Sequence, residues 1–229
     1  MPKRKSNYTY YFSVEGEDEK WYLEWLAGVI NDSLNSLDAD FTVSVKAEKL
    51  SPGKFVRKFK SIDVRRAVHV FDYDCDEVRF QNTLKDMKNT AGKTLEYRLG
   101  YTNLNFELWM VLHKMDCNGA VQKNDGYLNK INQAFGKSFR RIDDYKAEKI
   151  FKEILSGMNL DDVKQAIRRA CAIQKARQGG GNQNSSGFSW FSQNPSLSLH
   201  ERIQEILDEC KNRVNAERRE KRLQQIDSI

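Results

Sequence analysis

Cysteine and histidine are scarce in this chain, and neither is grouped. Cys75, Cys117, Cys171 and Cys210 stand singly with no C-x-x-C pair. That removes the usual ligand spacing of zinc sites and the thioredoxin-type redox motif, and leaves reduced thiols as the reading. His69, His113 and His200 are equally isolated. His69 alternates with Val68 and Val70 as a strand residue does, so no histidine stands out as a catalytic or metal-binding group. Long hydrophobic runs are missing too. The longest apolar stretches are strand-sized, which argues against a membrane span. The basic opening Met-Pro-Lys-Arg-Lys leads into no apolar segment, so neither a secretory signal nor a lipid anchor is expected and a cytoplasmic protein is. No internal repeat is visible.

What is present is charge and a core. Of 229 residues 31% are charged, with a formal net charge of +6, so part of the surface is cationic. The hydrophobic and aromatic content suffices for one domain with additions. "YTYYFSV" from Tyr8 reads as a buried strand that Glu15-Gly16 ends, and Glu17 to Leu37 has helical apolar spacing. "FTVSVKA" from Phe41 is a second strand, and Ser51-Pro52-Gly53 opens a short basic helix. "RAVHVFDYD" is a third strand with the continuous apolar character of parallel sheets covered on both faces. A helix from Glu77 to Asn89 follows, then a strand from Thr94 to Leu99, a turn at Gly100 and a further helix over "YTNLNFELWMVLHK". This alternation predicts an α/β fold with a mostly parallel sheet flanked by helices. After about Asp116 helices dominate: Tyr127 to Phe135, Tyr145 to Leu155, Leu160 to Arg177, and a terminal, increasingly charged helix after "NPSLSLHERIQEIL". The expected organisation is an α/β catalytic core over 1–116 and a helical extension over 117–229. "QGGGNQNSSG", Gln178 to Gly187, reads as a flexible loop, on the surface or near substrate.

Both acidic clusters stand at strand ends, where open α/β sheets bind ligands. If the first and third strands are neighbours, Glu15 meets Asp72 and Asp74 in one crevice. The two aspartates point the same way if extended backbone persists through Tyr73. Glu19 can return to the crevice from the first helical turn. Such carboxylates repel one another unless neutralised. A hard divalent ion, Mg²⁺ or Mn²⁺, neutralises them better than zinc would, and suits phosphodiester chemistry. "DYDCDE" mimics the start of an EF-hand, but Glu77 and Thr83 occupy the required Gly and Glu positions, so that reading fails. The competing structural explanation is that the acids cap the helices that follow.

Strand-Glu-Gly before a helix, then strand-Asp-x-Asp, resembles the Toprim domain of primases, topoisomerases and several nucleases. "VEGEDEKWYL", "FDYD", "TNLNFELWMVLH" and "NPSLSLHERIQEIL" together resemble the RloB-like family, associated with restriction-modification and phage-defence loci. The resemblance implies a Toprim-like fold with Glu15, Asp72 and Asp74 around the metal, and Glu19 and Glu107 in or beside the site. Leu104 stands where the family has a proline after asparagine, and Asp18 where threonine is frequent. The basic residues Lys20, Lys54, Arg57, Lys58, Lys60, Arg65 and Arg66, and later Lys137, Arg140, Arg141, Arg168, Arg169, Lys175 and Arg177, could follow a phosphate backbone. Tyr73, Phe188, Trp190 and Phe191 could stack on unpaired bases.

The expectation is a Mg²⁺- or Mn²⁺-dependent endonuclease acting on DNA or RNA, tRNA included, in antiphage defence. General-base duty falls to Glu15 or to a water activated at the metal. A catalytically silent nucleic-acid-binding or partner-docking module of the same shape is the alternative. An ATPase partner from a defence operon and a homodimer are left open by the resemblance.

Overall fold

The computed structural model describes residues 5–59, 64–92, 95–121 and 126–227. The α/β part runs β1 (Ser6–Val14), α1 (Glu17–Ser36), β2 (Phe41–Lys49), α2 (Pro52–Lys58), β3 (Arg66–Asp72), α3 (Glu77–Thr90), β4 (Glu96–Asn103) and α4 (Glu107–Leu112). It continues with α5 (Tyr127–Phe135), α6 (Ile142–Lys146), α7 (Glu148–Ser156), α8 (Leu160–Arg177), β5 (Asn182–Ser185), β6 (Phe188–Phe191), β7 (Ser196–Leu197) and α9 (Leu199–Asp227).

The main sheet has the order β2-β1-β3-β4-β7; β7 is antiparallel to β4 and the other pairings are parallel. Along β3, Val68 and Val70 enter the larger core, built on α1, α4, α8 and α9, while Ala67 and Phe71 enter a smaller one with Phe55, Phe80 and Leu84 of α2 and α3. Burial on both faces is why this strand carries no polar alternation. This is the mostly parallel, helix-flanked architecture of a Toprim-like fold. No helix among the described residues is long and apolar enough to cross a membrane.

From β1 the chain goes out to β2 on one side, and from β3 to β4 on the other. The carboxyl ends of β1 and β3 therefore flank the topological switch point, where such sheets open a crevice. Their register, Val14 opposite Val70, sets Glu15 beside the end of β3.

Several local expectations are corrected. Gly100 lies inside β4, not at a turn: a Cβ there would press to 3.0 Å on Val68 Cγ1, so glycine serves close strand packing. Thr94, the expected start of that strand, lies outside the described residues. The helix expected over Tyr145 to Leu155 is two helices, broken at the extended Ala147 (φ −61°, ψ 127°), just after buried Tyr145 and Lys146, which pairs with Glu107 and Asp18. The glycine-rich loop contains half of a hairpin: β5 pairs with β6 across Ser186 (φ 55°) and Gly187 (φ 85°), the positive-φ pair of a type I′ turn. The larger core is continuous across residue 116, and β7 carries the second half of the chain into the sheet.

Candidate active site

β1 delivers Glu15 and β3 delivers Asp72 to the crevice. Glu15 Oε2 accepts the Asp72 amide at 3.2 Å, and Asp72 Oδ1 accepts the Thr102 hydroxyl of neighbouring β4 at 2.7 Å. Extended backbone does not persist to Asp74. β3 stops at Asp72, and Asp74 (φ 50°) and Cys75 (φ 55°) are left-handed, because the chain must fold back into α3. Aspartate tolerates that conformation better than most residues. Asp74 reaches the site by another route: its Oδ2 lies 2.7 Å from Nη2 of Arg79, whose Nη1 holds Glu15. Arg79 Nη2 also donates to the Asp72 carbonyl at 3.1 Å.

Helix capping does not explain these acids. Asp76 alone caps α3, accepting the Arg79 amide at 3.0 Å, and the N-cap of α1 is Gly16 with no side-chain cap. Asp18 and Glu19, in the first turn of α1, are buried instead of facing solvent. Glu107, from the first turn of α4, is fully buried. Its Oε1 lies 2.8 Å from Lys146 Nζ, which is also 3.2 Å from Asp18 Oδ2.

Burial and these neighbours shift the titration of the group. Burial, then the charges of Asp18 and Asp72, pushes Glu19 well above the usual carboxylate range. Burial, then Glu107, does the same to Asp72 against the opposing Thr102 hydroxyl. Burial raises Glu107 although Lys146 opposes it. Burial alone would lower Lys146, but Glu107 and Asp18 override it and hold the ammonium above the ordinary lysine range.

Hydrogen bonds and Arg79 thus join Glu15, Asp72 and Asp74 at one end of the sheet, with buried Glu19 and Glu107 in the electrostatic neighbourhood of Asp72. Sequence reasoning missed Asp18, Arg79 and Lys146 as members. Asp18 and Arg79 lie within the acidic segments and were findable by charge; Lys146 comes from a distant helix and carries no local signal.

As placed, no three His, Cys, Asp or Glu side chains among the described residues converge as a metal cage, and the acids are paired instead with Arg79 and Lys146. The donor chemistry nevertheless fits a hard divalent ion. Glu19 Oε2 and Glu107 Oε2 are buried with no hydrogen-bond partner among the described residues, a costly state for carboxylate oxygens that a cation would relieve.

Of the basic candidates, Lys54 and Arg57 are exposed on α2, and Lys58 pairs with Glu48 at 2.6 Å. α2 starts from the carboxyl end of β2, the same end of the sheet as the acids. Arg140 and Arg141 are exposed just before α6, the helix that carries Lys146, and Lys20 is half-buried in α1. Others serve the fold: Arg169 donates to the Leu112 carbonyl at 2.7 Å, Arg177 to the Pro195 carbonyl at 3.0 Å, and Arg66 pairs with Glu209 at 3.0 Å. Lys60 lies outside the described residues. The Tyr73 ring is not presented to bases: it is buried edge-on against Phe80, and its hydroxyl donates to Glu77. Trp190 is likewise buried on Phe80.

Compared with known proteins, the chain is similar over residues 10–206 to a family model described as RloB-like protein. No curated protein and no solved structure matches it.

Proposed function

The chain belongs to the RloB-like family, and from that premise we propose that it is a Mg²⁺- or Mn²⁺-dependent nuclease that hydrolyses phosphodiesters of DNA or RNA in antiphage defence. The observation that carries this reading is the meeting of Glu15, Asp72 and Asp74 with the buried, unsatisfied oxygens of Glu19 and Glu107 at the switch point of the sheet.

Asp72 and Asp74 would hold the ion, with Glu15, Glu19 and Glu107 completing or bordering its shell. A bound divalent ion supplies a Lewis acid for the phosphoryl oxygen and makes water a nucleophile at neutral pH. Thr102 fixes the Asp72 carboxylate, so that ligand is oriented before any ion arrives. Glu15 is half-exposed, and an oxygen not engaged by the ion would, once released by Arg79, take a proton from attacking water. Lys54, Arg57, Arg140 and Arg141 offer exposed cations for the substrate backbone.

The test is incubation of purified protein with mixed DNA and RNA in Mg²⁺, Mn²⁺ or chelator, sequencing the new ends. Asp72→Ala and Asp74→Ala are each expected to fold and to cut no more than chelated wild type. Undiminished cleavage by both would refute the assignment. The internal neutralisation of acids by Arg79 and Lys146 is what a catalytically silent binding module would also need. Such a module would keep its nucleic-acid affinity in chelator and yield no cut product.

A further inference from the structure

Arg79 and Lys146 both neutralise acids of the crevice, but they are not equally free to leave. Arg79 spans Glu15 and Asp74, and all three side chains are between 29% and 39% exposed. Ion pairs of that kind are screened by water and exchange at little cost. Lys146 is itself 37% exposed, much like Arg79, but its partners differ: the Glu107 side chain is 0% exposed and that of Asp18 8%. Withdrawing the ammonium would strand two buried carboxylates, the most destabilising way to open an ion pair.

An arriving ion therefore has one accessible route. It would displace Arg79 and be held by Glu15, Asp72 and Asp74, and the buried, unpartnered Glu19 Oε2 would be free to join them. A second ion, about 3.5 to 4 Å from the first, would need bridging carboxylates beyond these. The remaining ones are Asp18 and Glu107, and Lys146 already joins them from α1 and α4.

We propose that this centre takes a single divalent ion, the place of a second being held permanently by the ammonium of Lys146. The inference rests on the metal-dependent reading above. It makes Lys146 a built-in cation of the site, supplied by the helical half of the chain. Arg79 is then the exchangeable counter-charge that keeps the acids together before the ion binds.

The test counts Mn²⁺ bound by the full chain, from loss of the free-ion electron paramagnetic resonance signal. Wild type and Lys146→Arg are expected to bind one ion, and Lys146→Met two. Two ions on the wild type, or one on folded Lys146→Met, would overturn the proposal while leaving a metal enzyme intact. No ion on the wild type would sink the metal reading and this inference with it. A measurement needing no variant is acetylation of Lys146, read by peptide mass with and without saturating Mn²⁺. Labelling should change less than about twofold, because the ammonium stays on its buried partners. A rise of tenfold or more on loading would mean that it leaves, and would refute the assignment.

Discussion

Gly16 has backbone angles open to any residue, φ −115° and ψ 170°, yet no side chain fits there. A Cβ would fall on Asp18 Oδ1 and Glu19 Oε2, nearer than Cβ atoms ever approach another atom. Both oxygens end flexible side chains, so they can swing aside and the fold can survive. Gly16→Ala is therefore expected to leave the melting temperature nearly unchanged and to weaken Mn²⁺ binding by about 10- to 100-fold, the usual cost of disturbing a ligand's support. A titration with unaltered affinity would show that the carboxylates over Gly16 lie outside the centre. At this scale the sequence was informative wherever chemistry sits at the end of a strand. Glu15 and Asp72 were legible because an apolar run stops at each, and parallel pairing brings such stops level. Lys146 was illegible because nothing in "DDYKAEK" distinguishes it from its solvated neighbours. Only the burial of Glu107 and Asp18 gives it a role.

Elements were legible in proportion to their periodicity. The spans of α5 and α8 coincide with the expected ones, since each has a full amphipathic repeat, and α8 also has an Asn159 cap that accepts the Asp161 amide at 2.8 Å. The β5–β6 hairpin escaped because one of its strands, Asn-Gln-Asn-Ser, is wholly polar and follows a glycine run, and what holds it is an aromatic on the other. Trp190 is 2% exposed and packs against Phe80 with ring centroids 5.3 Å apart. Trp190→Ala should cost about 3 to 5 kcal/mol of unfolding free energy in urea, as for other buried large aromatics. Mn²⁺ stoichiometry should not change, because Trp190 packs in the smaller core with Phe80. A loss below about 1 kcal/mol would show that the hairpin is not anchored by its tryptophan.

The molecule as a whole carries two opposed sets of buried titratable groups. Burial lifts the acids of the crevice, whereas it lowers His69, His113 and His200 to about 4 from an ordinary value of 6.5. His113 is fixed as the neutral tautomer: Nδ1 donates to the Trp109 carbonyl at 2.9 Å, and Nε2, 3.1 Å from the Tyr22 hydroxyl, accepts. Below pH 6.5 the unfolded chain takes up protons that these folded imidazoles refuse, so their contribution is complete above that pH and is lost as pH falls toward 4. Between pH 7 and 5 this amounts to roughly 2 kcal/mol for one histidine. His113→Gln should remove about that much of the acid-induced loss, compared by urea unfolding at the two pH values. An unchanged difference would mean that the imidazole is protonated in the folded state.

The return of the chain to its own sheet is the feature that no local pattern announces. β7 covers the free edge of β4, while α9 ties Glu209 to Tyr10 and Arg66, Glu205 to Arg98, and Lys221 to Asp40. During synthesis, a ribosome that has released the first four strands has still to make this fastening. The nascent sheet must wait with one border bare, so a pause in translation before residue 196 would leave an adhesive edge exposed.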